Sequence, residues 1–111
     1  MNRIAQLEEF LKESPNDPFL YYALTLEYQK LGDDFKTRAG FEHLVQTFPD
    51  YVGTYYHFGK FLERLGESQQ AEEIYRRGID IATQLRNHHA KGELMGALNQ
   101  LLGLDDEDED F

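Results

Sequence analysis

The chain has no cysteine among its 111 residues. Disulfide frameworks, thiolate metal sites and a cysteine nucleophile are therefore excluded. No run of residues approaches the roughly 20 apolar positions that a membrane-spanning helix needs. Charged residues interrupt the apolar positions of segment 1–12, so it lacks the apolar core of a signal peptide. These absences predict a soluble cytoplasmic protein.

Basic residues are few. Eleven lysines and arginines stand against 21 acidic residues, and the formal net charge is −10. This balance argues against nucleic acid and anionic membrane surfaces as partners. Six of the acids lie in residues 105–110, so the remaining 15 acids and 11 bases give the body −4. We predict a disordered acidic tail over residues 105–111.

Apolar and aromatic residues are plentiful, at 41% and 14%. This is too much packing material for a disordered chain. At this length the chain can bury one modest core, whereas a layered enzyme with a deep cleft would be difficult to build. We predict a single domain over residues 1–104.

An internal repeat with an offset of 34 residues dominates the chain. Residues recur in the pairs Tyr21 and Tyr55, Tyr22 and Tyr56, Leu24 and Phe58, Gly32 and Gly66, Phe41 and Tyr75, Val45 and Ile79. The same offset extends upstream, because it relates Leu7, Phe10, Leu11 and Pro15 to Phe41, Leu44, Val45 and Pro49. A period of 34 residues is typical of stacked helix pairs.

Capping and breaking residues divide the chain into helices. Asp17 and Pro18 suit a helix start, Gly32 and Gly103 suit helix ends, and Pro49 stops a helix. An apolar stripe marks the second helix at Leu20, Tyr21, Leu24, Tyr28 and Leu31, and a shorter one marks the first at Ile4, Leu7, Phe10 and Leu11. We predict about six helices, divided into a half-repeat (2–15), repeat one (16–49), repeat two (50–86) and a capping helix (87–103).

The repeated positions resemble the tetratricopeptide repeat family, in the form of its small bacterial members. Repeat two matches the family pattern best, at Tyr55, Phe58, Gly59, Gly66, Ala71 and Tyr75. Thr25, Thr37 and Leu44 of repeat one depart from its small-residue positions, which predicts slightly wider packing there. The resemblance implies an all-α, short right-handed solenoid of antiparallel helix pairs. It also implies a concave groove that holds a peptide from another protein.

Mapping the family's groove onto this chain predicts a peptide-binding set at Tyr22, Leu26, Lys30, Tyr56, His57, Lys60 and Arg64. The two tyrosines would be anchors with large contact areas, or alternatively part of the core. The cations would form a basic strip that reads carboxylates, or alternatively would pair with neighbouring acids on a solvated face. His57 would tune binding with pH, or line the groove as a neutral residue.

Catalysis has no motif in the sequence. Neither a Ser-His-Asp set nor a phosphate-binding glycine loop is present, so we expect no enzyme and no cofactor. His89 and Glu93 are four residues apart and could face one metal ion, but a surface pair is the favoured interpretation and we expect no metal.

The sequence therefore predicts a non-catalytic interaction module, a monomer or weak homodimer, that binds a protein or peptide in its groove. The alternative is a structural module that associates through the exposed apolar end faces of the solenoid.

Overall fold

The computed structural model describes residues 2–104, which fold into six helices. They are α1 (Arg3–Glu13), α2 (Pro18–Lys30), α3 (Asp34–Thr47), α4 (Gly53–Arg64), α5 (Ser68–Gln84) and α6 (His88–Leu102). No strand occurs within the described residues, and the predicted all-α fold of about six helices is confirmed. Every helix in this range is too short or too polar to span a bilayer. The predicted acidic tail, 105–111, lies outside the described residues.

Polar caps and glycines set the helix boundaries. Four helices begin after a side chain that accepts a hydrogen bond of 2.7–3.0 Å from a backbone N–H of the first turn, and these caps are Asn2, Asp17, Asp33 and Asn87. Three helices end next to a glycine with positive φ, which only glycine adopts at little cost, and these are Gly32, Gly66 and Gly103.

The chain separates into two compact units that divide between Tyr51 and Val52. The first contains α1, α2 and α3, and the second contains α4, α5 and α6. The predicted single domain and the predicted repeat boundaries stay predictions. In the first unit, α2 packs against both α1 and α3. The buried apolar side chains of the first unit are Leu7, Leu20, Phe41, Leu44 and Val45.

Two buried threonines lie in the first unit where the repeat pattern has small residues. Thr25 and Thr37 are 2% and 0% exposed. Each hydroxyl donates to a backbone carbonyl one turn earlier, at 2.8 Å and 2.7 Å, so neither polar group is left unsatisfied. A Cβ on Gly40 of α3 would overlap the side chain of Thr25. The helices therefore approach closely at Thr25 because α3 has a glycine there.

In the second unit, α5 packs against α4 and α6, and glycines permit both close approaches. A Cβ on Gly59 of α4 would overlap the ring of Tyr75. A Cβ on Gly78 of α5 would lie 2.5 Å from Tyr55 Cβ and 3.0 Å from Leu94 Cδ1. Tyr55 of α4 and Tyr75 of α5 are both fully buried. Each fills the space beside a glycine of the other helix.

Two members of the predicted apolar stripes are exposed. Leu31 is 70% exposed because it caps the C-terminal end of α2, beyond the buried face. Phe10 of α1 is 49% exposed, although Leu7 on the same helix is buried. The apolar stripes predicted for α1 and α2 are therefore buried only in part.

Candidate functional site

The second unit contains four of the predicted binding residues, all on α4. Tyr56, His57 and Lys60 are half-buried, whereas Arg64 in the last turn is exposed. On the same helix, Gly59 is buried against Tyr75 of α5. Partial burial leaves Tyr56, His57 and Lys60 accessible while their surroundings restrict their rotamers.

A cleft of about 380 Å³ opens between α4 and α6. It is lined by Tyr56, Gly92, Glu93, Gly96, Ala97, Asn99, Gln100 and Leu104. Tyr56 comes from α4, Leu104 follows the end of α6, and the other residues belong to α6. The lining combines one aromatic ring, a carboxylate and two amides with a surface of very small side chains. Such a mixture can contact both the backbone and the side chains of a bound segment.

Two glycines keep the cleft open along α6. Gly92 and Gly96 are one helical turn apart and exposed. Nothing outside α6 in the described part of the chain lies within 4 Å of where a Cβ on either glycine would stand. Glycine in a helix interior costs about 1 kcal/mol relative to alanine. Neither glycine is required by packing in this unit, so both leave room beside Tyr56.

Tyr56 lies between a histidine and a lysine. The His57 ring is 5.6 Å from the Tyr56 ring at an interplanar angle of 83°, an edge-to-face contact. Lys60 Nζ lies 5.7 Å from the centroid of the same ring, within the range of a cation–π interaction. The Tyr56 ring therefore lines the cleft with the positive charge of Lys60 beside it.

Lys60 also belongs to a chain of polar contacts that leads into the core. Its Nζ lies 3.8 Å from Glu63 Oε2. The same carboxylate accepts a hydrogen bond from the Tyr75 hydroxyl on α5. Burial, and then this hydrogen bond, raises the pKa of Tyr75 well above its usual value. Tyr75 therefore stays protonated and fixes the Glu63 carboxylate 3.8 Å from the Lys60 ammonium.

His57 favours its neutral form. Burial is the main cause that lowers its pKa, and the nearby Arg64 lowers it further, while Glu93 acts in the opposite direction. The imidazole therefore contributes little positive charge at neutral pH. In the neutral form one ring nitrogen donates a hydrogen bond and the other accepts one.

Arg64 stands apart from the cleft. Its guanidinium carbon lies 6.0 Å from the centroid of the Phe61 ring. Of the four predicted residues on α4, only Tyr56 lines the cleft itself, while His57 and Lys60 contact the Tyr56 ring. The structure thus brings Tyr56, His57 and Lys60 together and leaves Arg64 one turn further along α4.

The first unit contains the other three predicted residues, on α2. Tyr22 and Leu26 are half-buried, and the Tyr22 ring lies 5.4 Å from that of Tyr51. Burial raises the pKa of Tyr22, with a smaller contribution from Tyr51. Lys30 is exposed and its Nζ pairs with Glu27 Oε2 at 3.0 Å. That these residues share one groove with the α4 set stays a prediction.

Within residues 2–104, no group of three or more histidine, cysteine or carboxylate side chains is placed to hold a metal ion. His89 Nε2 lies 3.6 Å from Glu93 Oε1, and both side chains are mainly exposed. The two form a surface pair on α6, with Glu93 at the cleft.

The contribution of α6 to the cleft was not foreseen from sequence. The pairs of the 34-residue repeat do not reach this helix, and the sequence predicts only a capping helix over residues 87–103. The four-residue spacing of Gly92 and Gly96 was the available signal, because two glycines on one helical face open a surface. α6 buries Leu94 and Leu98, and the buried Ala97 borders the cleft formed by the neighbouring side of the helix.

No family model and no curated protein sequence matches the chain. Solved structures do. The solution NMR structure of a tetratricopeptide repeat domain protein from Salinibacter ruber is 42% identical, with a TM-score of 0.77, and the match covers 83% of this chain and 93% of that one. A crystal structure of a tetratricopeptide repeat domain protein from the same organism is 43% identical over 80% of this chain and 100% of that one, with a TM-score of 0.74.

A third structure, of a protein from Bordetella parapertussis, shares the fold at 18% identity, with a TM-score of 0.78 over 98% of this chain and 95% of that one. The Salinibacter matches carry more weight because they combine sequence identity above 40% with nearly complete coverage of the relatives. Their family generally mediates protein–protein interactions and is typically non-catalytic. The chain belongs to the tetratricopeptide repeat family.

Proposed function

We propose that this protein binds a peptide segment of a partner protein, and that the α4–α6 cleft is the centre of the binding surface. Tyr56 is the anchor, and His57, Lys60 and Arg64 extend the surface along α4. By the 34-residue offset, Tyr22, Leu26 and Lys30 are proposed to act in the same way on α2.

The observation that carries this proposal is the open side of α6 opposite Tyr56. Gly92 and Gly96 leave space that no side chain of the described residues fills. A peptide backbone can approach a glycine surface closely, and the amides of Asn99 and Gln100 are suited to bind its N–H and C=O groups. A half-buried tyrosine gives a large contact area at small entropic cost.

Charges along the site indicate the kind of peptide. Lys60 Nζ lies 3.8 Å from Glu63 Oε2, which is longer than a good hydrogen bond. The ammonium group of Lys60 therefore retains donors for a carboxylate of the peptide. Glu93 in the cleft favours a basic side chain. We therefore propose a peptide of mixed charge, with its acid beside Lys60 and its base beside Glu93. Each exposed charge pair contributes at most about 1 kcal/mol, so the contact with Tyr56 dominates.

The test is selection of peptides from a phage-displayed library of random 12-residue sequences on the immobilised protein. Peptides recovered on the wild type are then measured by fluorescence polarisation. Gly96→Leu fills the cleft without removing any contact, and we expect it to weaken binding at least about ten-fold, as does Tyr56→Ala. Lys60→Gln should reduce the preference for acidic peptides and the salt dependence of binding.

Gln84→Leu is the matched control, because it adds the same side chain at an exposed position of α5 outside the cleft. Peptides that bind Gly96→Leu as tightly as the wild type would show that the cleft is not the site. Recovery of no peptide above background would contradict the proposed function itself.

A structural, self-associating module is the second candidate function. One observation favours it, namely that Phe35 on α3 of the first unit is 85% exposed.

A further inference from the structure

One face of α3 in the first unit exposes a large aromatic side chain beside charged residues. We call it the α3 outer face, and it consists of Phe35, Lys36, Ala39, Glu42 and His43, all exposed. These positions are spaced as one side of a helix. Phe35 is 85% exposed. This side chain is free to pack against a partner that also matches the charges around it.

The α3 outer face borders a groove of about 410 Å³ between α2 and α3. Tyr21, Leu24 and Tyr28 line it from α2, and Ala39, Gly40 and His43 line it from α3. The side chains of α3 at its centre are small, whereas aromatic rings stand on the opposite side. The backbone of α3 is therefore accessible to another helix at Ala39, which is exposed.

The side chains of the α3 outer face are spaced symmetrically about Ala39. Phe35 and His43 are each four residues from Ala39, and Lys36 and Glu42 are each three residues from it. A two-fold axis at Ala39 would lay the same helix from a second copy antiparallel on this one. Lys36 would then face the second copy's Glu42, and Phe35 would face its His43. Every contact occurs twice, as a two-fold interface requires.

We propose that the α3 outer face is a homodimer interface, with Ala39 on its two-fold axis and a second copy of this chain as the occupant. The charge pattern is what favours a second copy. An antiparallel pair matches opposite charges at both ends of the face, whereas a parallel pair would place like charges together.

Aromatic packing completes the interface. The His43 ring lies 4.7 Å from the Tyr21 ring, at 59°, so Phe35 of the second copy meets a pair of rings already in contact. At the other end, Lys36 Nζ lies 5.1 Å from the Tyr28 ring, which holds the ammonium at the edge of the groove. Phe35 and His43 lie about 12 Å apart along α3, so two helical turns are engaged.

The first test uses sedimentation equilibrium of the full chain over a concentration series up to about 1 mM. We expect the wild-type mass to rise from that of one chain towards that of two. Ala39→Glu places a charge on the axis at an exposed helical site, so it should preserve the helical circular dichroism spectrum and weaken the dimer at least about 100-fold. Gln69→Glu, at an exposed position of α5, adds the same charge elsewhere and should leave the dissociation constant unchanged.

The second test is charge reversal. Lys36→Glu alone and Glu42→Lys alone each put like charges face to face twice, so each should weaken the dimer about ten-fold. The double variant Lys36→Glu/Glu42→Lys restores opposite charges and should regain wild-type affinity. This recovery is specific to an antiparallel arrangement centred on Ala39.

A wild-type protein that remains one chain at about 1 mM would overturn the proposal. So would a dimer that tolerates Ala39→Glu, because association would then use another surface. A double variant as weak as the single ones would exclude the antiparallel pairing. The peptide-binding variant Gly96→Leu lies in the second unit and should not alter the mass, which separates this proposal from that of the cleft.

Discussion

The hydroxyl of Tyr75 on α5 donates a hydrogen bond to the carboxylate of Glu63 on α4, across the ring space that Gly59 leaves open. Tyr75 is fully buried. Glu63 also stands 3.8 Å from Lys60, so one buried phenol supports a charged residue beside the cleft. The hydrogen bond between Tyr75 and Glu63 therefore links the core packing of the second unit to its proposed binding surface.

Replacing Tyr75 by phenylalanine should lower the free energy of unfolding by about 1 to 2 kcal/mol, because a hydrogen bond to a carboxylate is lost while the ring still packs. Urea denaturation measures the change. Tyr28→Phe removes a hydroxyl from a half-buried ring of the first unit and is the control, with little expected change. An equal loss in both variants would contradict a special role for the Glu63 contact.

Alkaline pH should reveal the same contact. Because the pKa of Tyr75 is raised in the folded protein, its contribution is complete below the unfolded value of about 10 and decreases as pH rises above it. The unfolded chain loses the phenolic proton first, which favours unfolding. Tyr75→Phe should therefore show a shallower decline in stability above about pH 10 than the wild type, measured by urea denaturation at each pH.

Two glycine substitutions should have opposite effects. Gly59→Ala places a Cβ inside the ring of the buried Tyr75 and should destabilise the protein by about 2 to 3 kcal/mol. Gly92→Ala meets no atom within 4 Å outside its own helix in the described part of the chain and gains helix propensity, so it should stabilise by about 0.5 to 1 kcal/mol. Thermal unfolding of both variants measures the two changes in stability. Changes of the same sign would contradict this prediction.

Thr54 on α4 is fully buried, and its hydroxyl has no hydrogen-bond partner within the described residues. Thr54→Val keeps the shape and removes the unsatisfied group, so we expect a gain of about 0.5 to 1.5 kcal/mol in unfolding free energy. Thr37→Val is the matched control. Thr37 is equally buried, but its hydroxyl donates to Asp33 O at 2.7 Å, so the same change should destabilise.

His57 should titrate below the value of about 6.5 that an unfolded histidine has, because burial lowers its pKa. Its contribution to stability is then complete above about pH 6.5 and is lost as pH falls towards the folded pKa, since the unfolded chain binds the proton first. NMR of the imidazole protons gives the midpoint. Glu93→Gln should lower the midpoint further and Arg64→Gln should raise it.

The sequence by itself determined the helices and their order. A 34-residue offset between tyrosines such as Tyr21 and Tyr55 predicted helix pairs, and residues such as Asp17 and Gly32 predicted where α2 begins and ends. These features are local, since caps and breakers act within one turn and apolar spacing reflects the helical period. The family resemblance rested on the same positions and was confirmed by the Salinibacter structures.

Only the tertiary structure decided which surfaces stay open. Gly92 and Gly40 are both helical glycines in the sequence, yet one faces an empty cleft and the other is pressed against Thr25. Likewise Phe41 is buried, whereas Phe35 on the same helix is 85% exposed. The type of amino acid at one position does not determine how neighbouring helices are rotated about their axes. That rotation comes from packing between helices, and it created both the cleft beside Tyr56 and the α3 outer face.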